Sequence, residues 1–93
     1  MRFVIIRIRG RVQGVGCRML MASMAKALGL GGWVQNEADK SVRARLEGDE
    51  KKIDEMLQAL SSQHDPLGVD VRQMEVLDKG ALDRSIKPFE LAF

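Results

Sequence analysis

The sequence predicts an α+β fold, with an antiparallel β-sheet covered on one face by two helices. Hydrophobic residues alternate with polar ones along several short segments and recur every three to four residues along two others. Glycines and polar residues separate these segments. The predicted order is strand, helix, strand, strand, helix, strand, which is the ferredoxin-like split βαβ arrangement, β-α-β-β-α-β. Many unrelated activities use this arrangement, so it does not indicate a function.

The first half of the chain predicts a strand, a glycine-rich loop and a helix. Residues 2–9 alternate and form a half-buried strand that we expect to end at Gly10. Three glycines within residues 10–16 indicate a loop with positive φ angles. The period becomes helical from Cys17, and Gly29 is positioned to end the helix. The predicted apolar stripe of this helix consists of Leu20, Met24, Ala27 and Leu28, with Met21 and Ala25 beside it.

The second half of the chain predicts a hairpin, a second helix and a last strand. Residues 33–36 and 42–47 are the hairpin strands, and Asp49 is the expected N-cap of the helix. Residues 69–76 alternate with a slip of one position, which indicates a β-bulge. Residues 88–93 predict a short edge strand. The apolar stripe of the second helix consists of Ile53, Met56, Leu57 and Leu60.

Length and composition favour one soluble domain spanning residues 1–93. Of these residues 45% are hydrophobic and 30% are charged, and the net charge is only +2. No apolar run approaches the roughly 18 residues of a membrane span, and the first residues do not resemble a secretion signal. We therefore expect a cytoplasmic monomer with no membrane partner. One cysteine, Cys17, and one histidine, His64, supply neither an internal disulfide nor a zinc site.

The stretch from Gly10 to Arg18 carries the strongest chemical signal. It joins the first strand to the start of the first helix, where backbone N–H groups without helical partners converge on an anion. Glycines allow such a loop to curl into a nest of N–H groups, and Arg18 adds a planar cation that grips two oxygens at once. Glycine-rich turns are also common at such junctions, and an arginine in a first helical turn often points to solvent.

Two motifs resemble those of the acylphosphatase family. Residues 10–18 have the sequence GRVQGVGCR, similar to the family's loop of Gly-x-Val-Gln-Gly-Val, one variable residue, an aromatic residue and the catalytic arginine. Residues 32–36 have the sequence GWVQN and match the second family motif, Gly-Trp-Val-x-Asn. The motifs occur in the family's order, and the predicted elements extend the similarity over nearly the whole chain.

The resemblance implies an enzyme that hydrolyses acyl phosphates to a carboxylate and inorganic phosphate, with no metal and no other cofactor. It implies that Arg18 holds the phosphate and that Asn36 positions the attacking water. These residue types suit the reaction. Hydrogen-bond donors such as Arg18 neutralise the charge on the phosphoryl oxygens, and the neutral carboxamide of Asn36 orients water without repelling a dianion. The residues whose backbone would wrap the phosphate are Gln13, Gly14, Val15, Gly16, Cys17 and Arg18.

Two positions depart from the family's pattern. Cys17 stands where the family has an aromatic residue, and Asp39-Lys40 stands where its hairpin has Asp-Gly. The smaller Cys17 costs about 1–3 kcal/mol of stability unless neighbours fill the space. Its thiol is either activated by the helix N-terminus, with a lowered pKa, or buried and inert.

Three other functions fit the same fold. The first is a non-catalytic module that binds phosphate or carbamoyl phosphate, and the second is a structural domain that has lost activity. The third is RNA binding, which uses aromatic side chains on the central strands. Residues 43–47 contain no aromatic residue, so we expect no nucleic-acid partner. Four arginines either form a basic patch or are solvated strand charges: Arg7, Arg9, Arg43 and Arg45.

Overall fold

The computed structural model describes residues 1–92 and places within them five strands and two helices. The strands are β1 (Arg2–Arg11), β2 (Gly31–Asn36), β3 (Val42–Gly48), β4 (Asp70–Ala81) and β5 (Glu90–Leu91). The helices are α1 (Cys17–Ala27) and α2 (Glu50–Ser61), neither of which is long and apolar enough to cross a membrane. The edge strand predicted over residues 88–93 is present as β5, and its last predicted residue, Phe93, lies outside the described residues.

The strands form one sheet in the order β4-β1-β3-β2-β5. The predicted ferredoxin-like arrangement is confirmed, and the pairs β4-β1, β1-β3 and β3-β2 are antiparallel. The last pair differs, because β5 runs parallel to β2, with Leu91 opposite Val34. The prediction of a purely antiparallel sheet is therefore wrong at this edge. The reason lies in residues 82–89, which cross from β4 at one edge of the sheet to β5 at the other.

The boundary between β1 and the loop after it differs from the prediction. Gly10 does not end the strand but pairs with Val71 of β4. The register shifts just before this pair, where β4 carries the extra residue Arg72, and this bulge accounts for the slip predicted within residues 69–76. Gly10 has a φ of 131°, and a Cβ there would lie 2.2 Å from the Asp70 carbonyl oxygen, so this bulge requires glycine. The loop is shortened to residues 12–16, which we call the glycine loop.

The hydrophobic core lies between the sheet and the two helices. In α2 the buried residues are Ile53, Met56 and Leu60, as predicted. In α1 the buried line is instead Cys17, Met21 and Ala25. Because Cys17 and Ala25 are small, α1 faces the sheet with this line. The stripe predicted for α1 is wrong in detail, since three of its members are half-buried and Ala27 is exposed; the half-buried three are Leu20, Met24 and Leu28.

The opposite face of the sheet carries a series of ion pairs. Four arginines of this face lie within 4.0 Å of an acidic side chain on the same strand, a neighbouring strand or a turn; the pairs are Arg7–Glu75, Arg9–Asp39, Arg43–Glu37 and Arg45–Glu47. These arginines are therefore strand charges compensated by their neighbours. The structure gives no support to a basic patch built from them.

Glu47 fixes the course of residues 82–89 across the sheet. Its side chain is only 2% exposed and accepts hydrogen bonds from Arg84 and, at 2.7 Å, from Arg45 Nε. Burial by itself raises the pKa of this carboxyl group, but the hydrogen bonds from Arg84 and Arg45 outweigh burial and hold the pKa below its ordinary value. The ionised Glu47 therefore anchors the segment that leads into β5.

Candidate active site

A cavity of about 180 Å³ opens where the glycine loop meets the C-terminal end of β2 and the strand β5. It lies at the start of α1, at the edge of the sheet's helical face. Its size is below the roughly 300 Å³ at which pockets for drug-sized ligands begin. It is large enough to enclose a small polar group and open enough to leave the rest of a ligand outside. The lining residues are Val12, Gly14, Gly16, Cys17, Arg18, Met19, Asn36 and Leu91.

The backbone of the glycine loop takes positive φ at two alternate residues. Gly14 has a φ of 76° and Gly16 a φ of 79°, whereas Gln13, Val15 and Cys17 do not have positive φ. Alternation in the sign of φ is characteristic of anion-binding nests, in which successive N–H groups turn towards a common point. A side chain at Gly14 or Gly16 would meet no atom within 4 Å, so it is the φ angle and not lack of space that requires glycine.

The start of α1 adds further N–H groups to this nest. Gly16 is the N-cap residue, and the described residues provide neither a side-chain cap nor an acidic group in the first turn. The first helical bond runs from the Leu20 N–H to the Gly16 carbonyl oxygen at 3.0 Å. The N–H groups of the first turn precede that bond and point out of the helix end, where the helix dipole favours negative charge.

The side chain of Gln13 holds the glycine loop against the β2–β3 turn. Its Nε2 donates to the carbonyl oxygens of Glu37 and Ser41, each at 2.8 Å. The turn itself is held by Asp39, which accepts from the Ser41 backbone N–H at 3.0 Å and from the Ser41 hydroxyl at 2.6 Å. These bonds from Ser41 lower the pKa of Asp39 to about 2. Lys40 takes the left-handed conformation, φ 72°, which is most accessible to glycine.

Arg18 lies in the first turn of α1 and reaches across the cavity to β5. Its Nη1 donates to the Ala92 carbonyl oxygen at 3.1 Å. A guanidinium carries five N–H donors in one plane, so the bond to Ala92 restricts the orientation of the group and leaves other donors for further partners. Ala92 directly follows β5, so the C-terminal segment takes part in placing the cation beside the nest.

Asn36, the last residue of β2, faces the same cavity from the other side. Its Oδ1 atom is buried and has no hydrogen-bond partner among residues 1–92. A buried acceptor without a partner costs about 1–3 kcal/mol, which a bound water or ligand donor recovers. The preceding residue, Gln35, points to the opposite face of the sheet, because side chains alternate along a strand.

Cys17 is buried and its thiol is not activated. Its side chain is 2% exposed and belongs to the core cluster, and burial raises the pKa of the thiol from 9.0 to about 11. The thiol is therefore protonated at neutral pH, and the hypothesis of a lowered pKa is wrong. Desolvation outweighs the helix N-terminus at this position.

The structure brings most of the expected site residues to one cavity. Gly14, Gly16, Cys17, Arg18 and Asn36 line it. Gln13 and Val15 are not among the lining residues: the side chain of Gln13 points to the β2–β3 turn, and that of Val15 packs against the core. The contribution expected of both residues is a backbone N–H group, which stays a prediction.

Three lining residues were not predicted: Val12, Met19 and Leu91. Val12 belongs to the loop motif, but nothing else in the sequence indicates that it lines the cavity. Leu91 is more than 70 residues away from the loop, and its place depends on the crossover of the C-terminal segment. The sequence does give one indication for Met19: it is an apolar residue next to the motif arginine, and it is not part of the stripe predicted for α1. Within residues 1–92, no group of three or more histidine, cysteine or acidic residues is arranged to hold a metal ion.

The fold and the cavity together define a small ferredoxin-like domain with a backbone nest for an oxyanion. The family model for acylphosphatases matches residues 4–91. An acylphosphatase of Methanothrix thermoacetophila is 43% identical over 73 residues, which cover 78% of this chain and 79% of that protein. The chain belongs to the acylphosphatase family, whose members of that name are hydrolases acting on acid anhydrides.

Solved structures agree with this assignment. The crystal structure of acylphosphatase from Bacillus subtilis matches with a TM-score of 0.89 at 28% identity, and the match covers 100% of both chains. The crystal structure of HypF from T. kodakarensis matches with a TM-score of 0.81 at 25% identity. In that case the match covers 100% of this chain but only 12% of the HypF chain, so the same fold also occurs as one part of a much longer protein.

Burial of Cys17 predicts a specific dependence of stability on alkaline pH. In the unfolded chain the thiol loses its proton near pH 9, but in the folded protein only near pH 11. Unfolding therefore releases a proton between these values, and stability falls as the pH rises. Between pH 8 and pH 10, we expect the unfolding free energy to fall by about 1 kcal/mol more in the parent protein than in Cys17→Ala. Urea denaturation at the two pH values measures this difference, and an equal fall in both proteins contradicts a buried, protonated thiol.

Proposed function

We propose that this protein hydrolyses acyl phosphates and that the cavity beside the glycine loop is its active site. The observation that carries the proposal is the meeting of three elements at one small cavity: a backbone nest, the Arg18 guanidinium and an unpartnered acceptor on Asn36. The first two suit a phosphoryl group, and the third suits a water molecule. Together they provide what transfer of a phosphoryl group to water needs.

The nest and Arg18 act on the phosphoryl group. A loose phosphoryl-transfer transition state spreads negative charge over three equatorial oxygens. Backbone N–H groups of the glycine loop and the first turn of α1 donate to these oxygens, and Arg18 supplies a permanent positive charge. These donors are held in place before the substrate arrives, by Gln13 on one side and by the Ala92 carbonyl on the other. Preorganised donors of this kind contribute most where they meet developing charge.

Asn36 acts on the attacking water. Its Oδ1 accepts a hydrogen bond from the water and aims the water oxygen at phosphorus, in line with the bond to the acyl oxygen. The water oxygen forms a bond to phosphorus, the P–O bond to the acyl group breaks, and its electron pair leaves on the carboxylate. The water's proton passes to a phosphate oxygen of the substrate. A carboxylate is a good leaving group, so the reaction needs no strong general base.

The alternative is a module that binds phosphate or carbamoyl phosphate without turnover. The same nest and arginine serve both functions, and turnover is what separates them. Asn36 favours hydrolysis, because its Oδ1 is an acceptor without a partner in a residue that lines the cavity, and an acceptor does not bind an anion. The domain organisation of residues 1–93 as one unit, the monomeric state, the cytoplasmic location and the lack of a nucleic-acid or membrane partner stay predictions.

The first experiment measures hydrolysis of benzoyl phosphate in excess EDTA by the parent protein and by Arg18→Ala. We expect turnover in the presence of the chelator and a loss of about 100- to 1,000-fold in kcat/KM in the variant, because a preorganised donor to the phosphoryl group is removed. Arg18→Lys keeps the charge but loses the planar fork, so it recovers only part of the activity.

Arg2→Ala is the matched control for this experiment. Arg2 begins β1, at the opposite end of the strand from the glycine loop, and its partly exposed side chain pairs with Glu50 of α2, so its removal leaves kcat/KM unchanged. Retention of more than half the activity in Arg18→Ala contradicts the role of Arg18. A folded parent protein that binds phosphate but hydrolyses no acyl phosphate establishes the binding module instead.

The role of Asn36 predicts a different kinetic pattern. We expect Asn36→Ala to lower kcat by about 10- to 100-fold and to change KM much less, because a misplaced water slows the reaction without loosening the phosphate. Asn36→Asp has the same size but adds a negative charge beside the dianion, so it also raises KM. Gln35→Ala, on the opposite face of the same strand, is the control and keeps both constants. An increase in KM alone in Asn36→Ala contradicts water positioning.

A further inference from the structure

Besides the phosphate-binding groups, the cavity has an apolar rim. Met19 and Leu91 line it from opposite sides, Met19 from the first turn of α1 and Leu91 from β5. Both side chains are also open to solvent, with 63% of Met19 and 39% of Leu91 exposed. Neither residue is needed to fill the core, and exposed large apolar side chains that share one site indicate contact with an apolar ligand group.

The position of Met19 places its side chain at the mouth of the cavity. Side chains of an α-helix lean towards its N-terminus. Met19 is the third residue of α1, so its thioether extends over the end at which the nest and Arg18 lie. Methionine is flexible and polarisable, and it contacts aromatic rings favourably. A residue at this place therefore touches the part of a substrate that projects out of the cavity.

Leu91 completes the rim through the C-terminal segment. Pairing with β2 sets Leu91 opposite Val34 and brings β5 beside the end of α1. The bond from Arg18 to the Ala92 carbonyl, at 3.1 Å, keeps this strand next to the phosphate-binding cation. The rim therefore has a fixed position relative to the phosphate-binding groups. Met19 directly follows Arg18 in the sequence, and Leu91 directly precedes Ala92, to which Arg18 is hydrogen-bonded.

We propose that Met19 and Leu91 form the acyl subsite and make the protein prefer acyl phosphates with an apolar, preferably aromatic, acyl group. This inference rests on the proposed function. The cavity of about 180 Å³ encloses the phosphate and the reacting carbonyl, while the remainder of the acyl group lies against the two apolar side chains. Among the described lining residues Arg18 is the only charged one, so the rim offers no partner to a charged acyl chain.

The test compares benzoyl phosphate with acetyl phosphate as substrates of the parent protein, Met19→Gln and Leu91→Gln. Acetyl phosphate has a methyl group too short to reach the rim. We expect the ratio of kcat/KM for benzoyl over acetyl phosphate to fall by about 3- to 10-fold in each variant, a modest factor because the rim is half open to water. The loss for benzoyl phosphate lies mainly in KM, since contact with the acyl group is equal in the ground state and the transition state.

Leu67→Gln is the matched control. Leu67 is 94% exposed on the loop between α2 and β4, so this variant makes the same apolar-to-polar change outside the site. We expect its benzoyl-to-acetyl ratio to equal that of the parent protein. An unchanged ratio in both Met19→Gln and Leu91→Gln overturns the acyl subsite, while continued hydrolysis of both substrates leaves the proposed function intact.

A binding measurement tests the subsite independently of turnover. Benzoylphosphonate and acetylphosphonate carry a P–C bond in place of the labile P–O bond, so the protein binds them without hydrolysis. Isothermal titration calorimetry is expected to show tighter binding of benzoylphosphonate by the parent protein and loss of that preference in Met19→Gln. Equal affinities of the parent protein for the two phosphonates overturn the inference even if neither acyl phosphate is hydrolysed. Failure of hydrolysis with a retained preference overturns only the proposed function.

Discussion

The site depends on the alternating backbone conformation of the glycine loop. Glycine adopts φ near 76–79° without the steric cost that a Cβ adds, and Gly14 and Gly16 do so on either side of Val15. This alternation turns the N–H groups of the loop towards the cavity that Arg18 and Asn36 also line. Without it the loop would still connect β1 to α1, but its backbone N–H groups would no longer point towards the same cavity.

The loop keeps this conformation because the fold holds it on two sides. Gln13 ties it to the carbonyl oxygens of the β2–β3 turn, and Asp39 in turn stabilises that turn through Ser41. On the other side, Arg18 is tied to β5, whose approach depends on residues 82–89 and on the buried Glu47 that anchors them. Remote parts of the chain therefore determine the geometry of a small cavity. Such support is what fixes catalytic groups within a fraction of an ångström.

Much of the fold follows from local sequence patterns. The remaining parts depend on packing between elements that are far apart in the sequence. Alternation and helical spacing locate six elements, and the slip around Arg72 locates a bulge, because these signals arise from neighbouring residues. The parallel direction of β5 and the buried line through Cys17 depend on how elements pack, which no local pattern records. The two readings of Cys17 stayed open in the sequence for the same reason: the helix N-terminus is visible there, but the burial that raises the thiol pKa is not.

Some parts of the candidate site can likewise be predicted from the sequence, and others cannot. Motif resemblance locates Arg18, Asn36 and the loop, because phosphate chemistry constrains those residue types closely. It does not locate Met19 or Leu91, since neither residue belongs to a family motif and many apolar side chains could line the cavity at these positions. Gln13 belongs to the motif, and the structure gives its side chain a bracing position that the sequence does not reveal.

The most direct test of the central claim is a titration of the ¹⁵N-labelled protein with inorganic phosphate in excess EDTA, followed by two-dimensional NMR. If the glycine loop and the first turn of α1 form the phosphate nest, the largest shifts occur at the backbone N–H groups of residues 13–18, with one saturation curve for all of them. Shifts that concentrate instead on the arginines of the open sheet face, and leave the loop unaffected, contradict a backbone nest as the phosphate site.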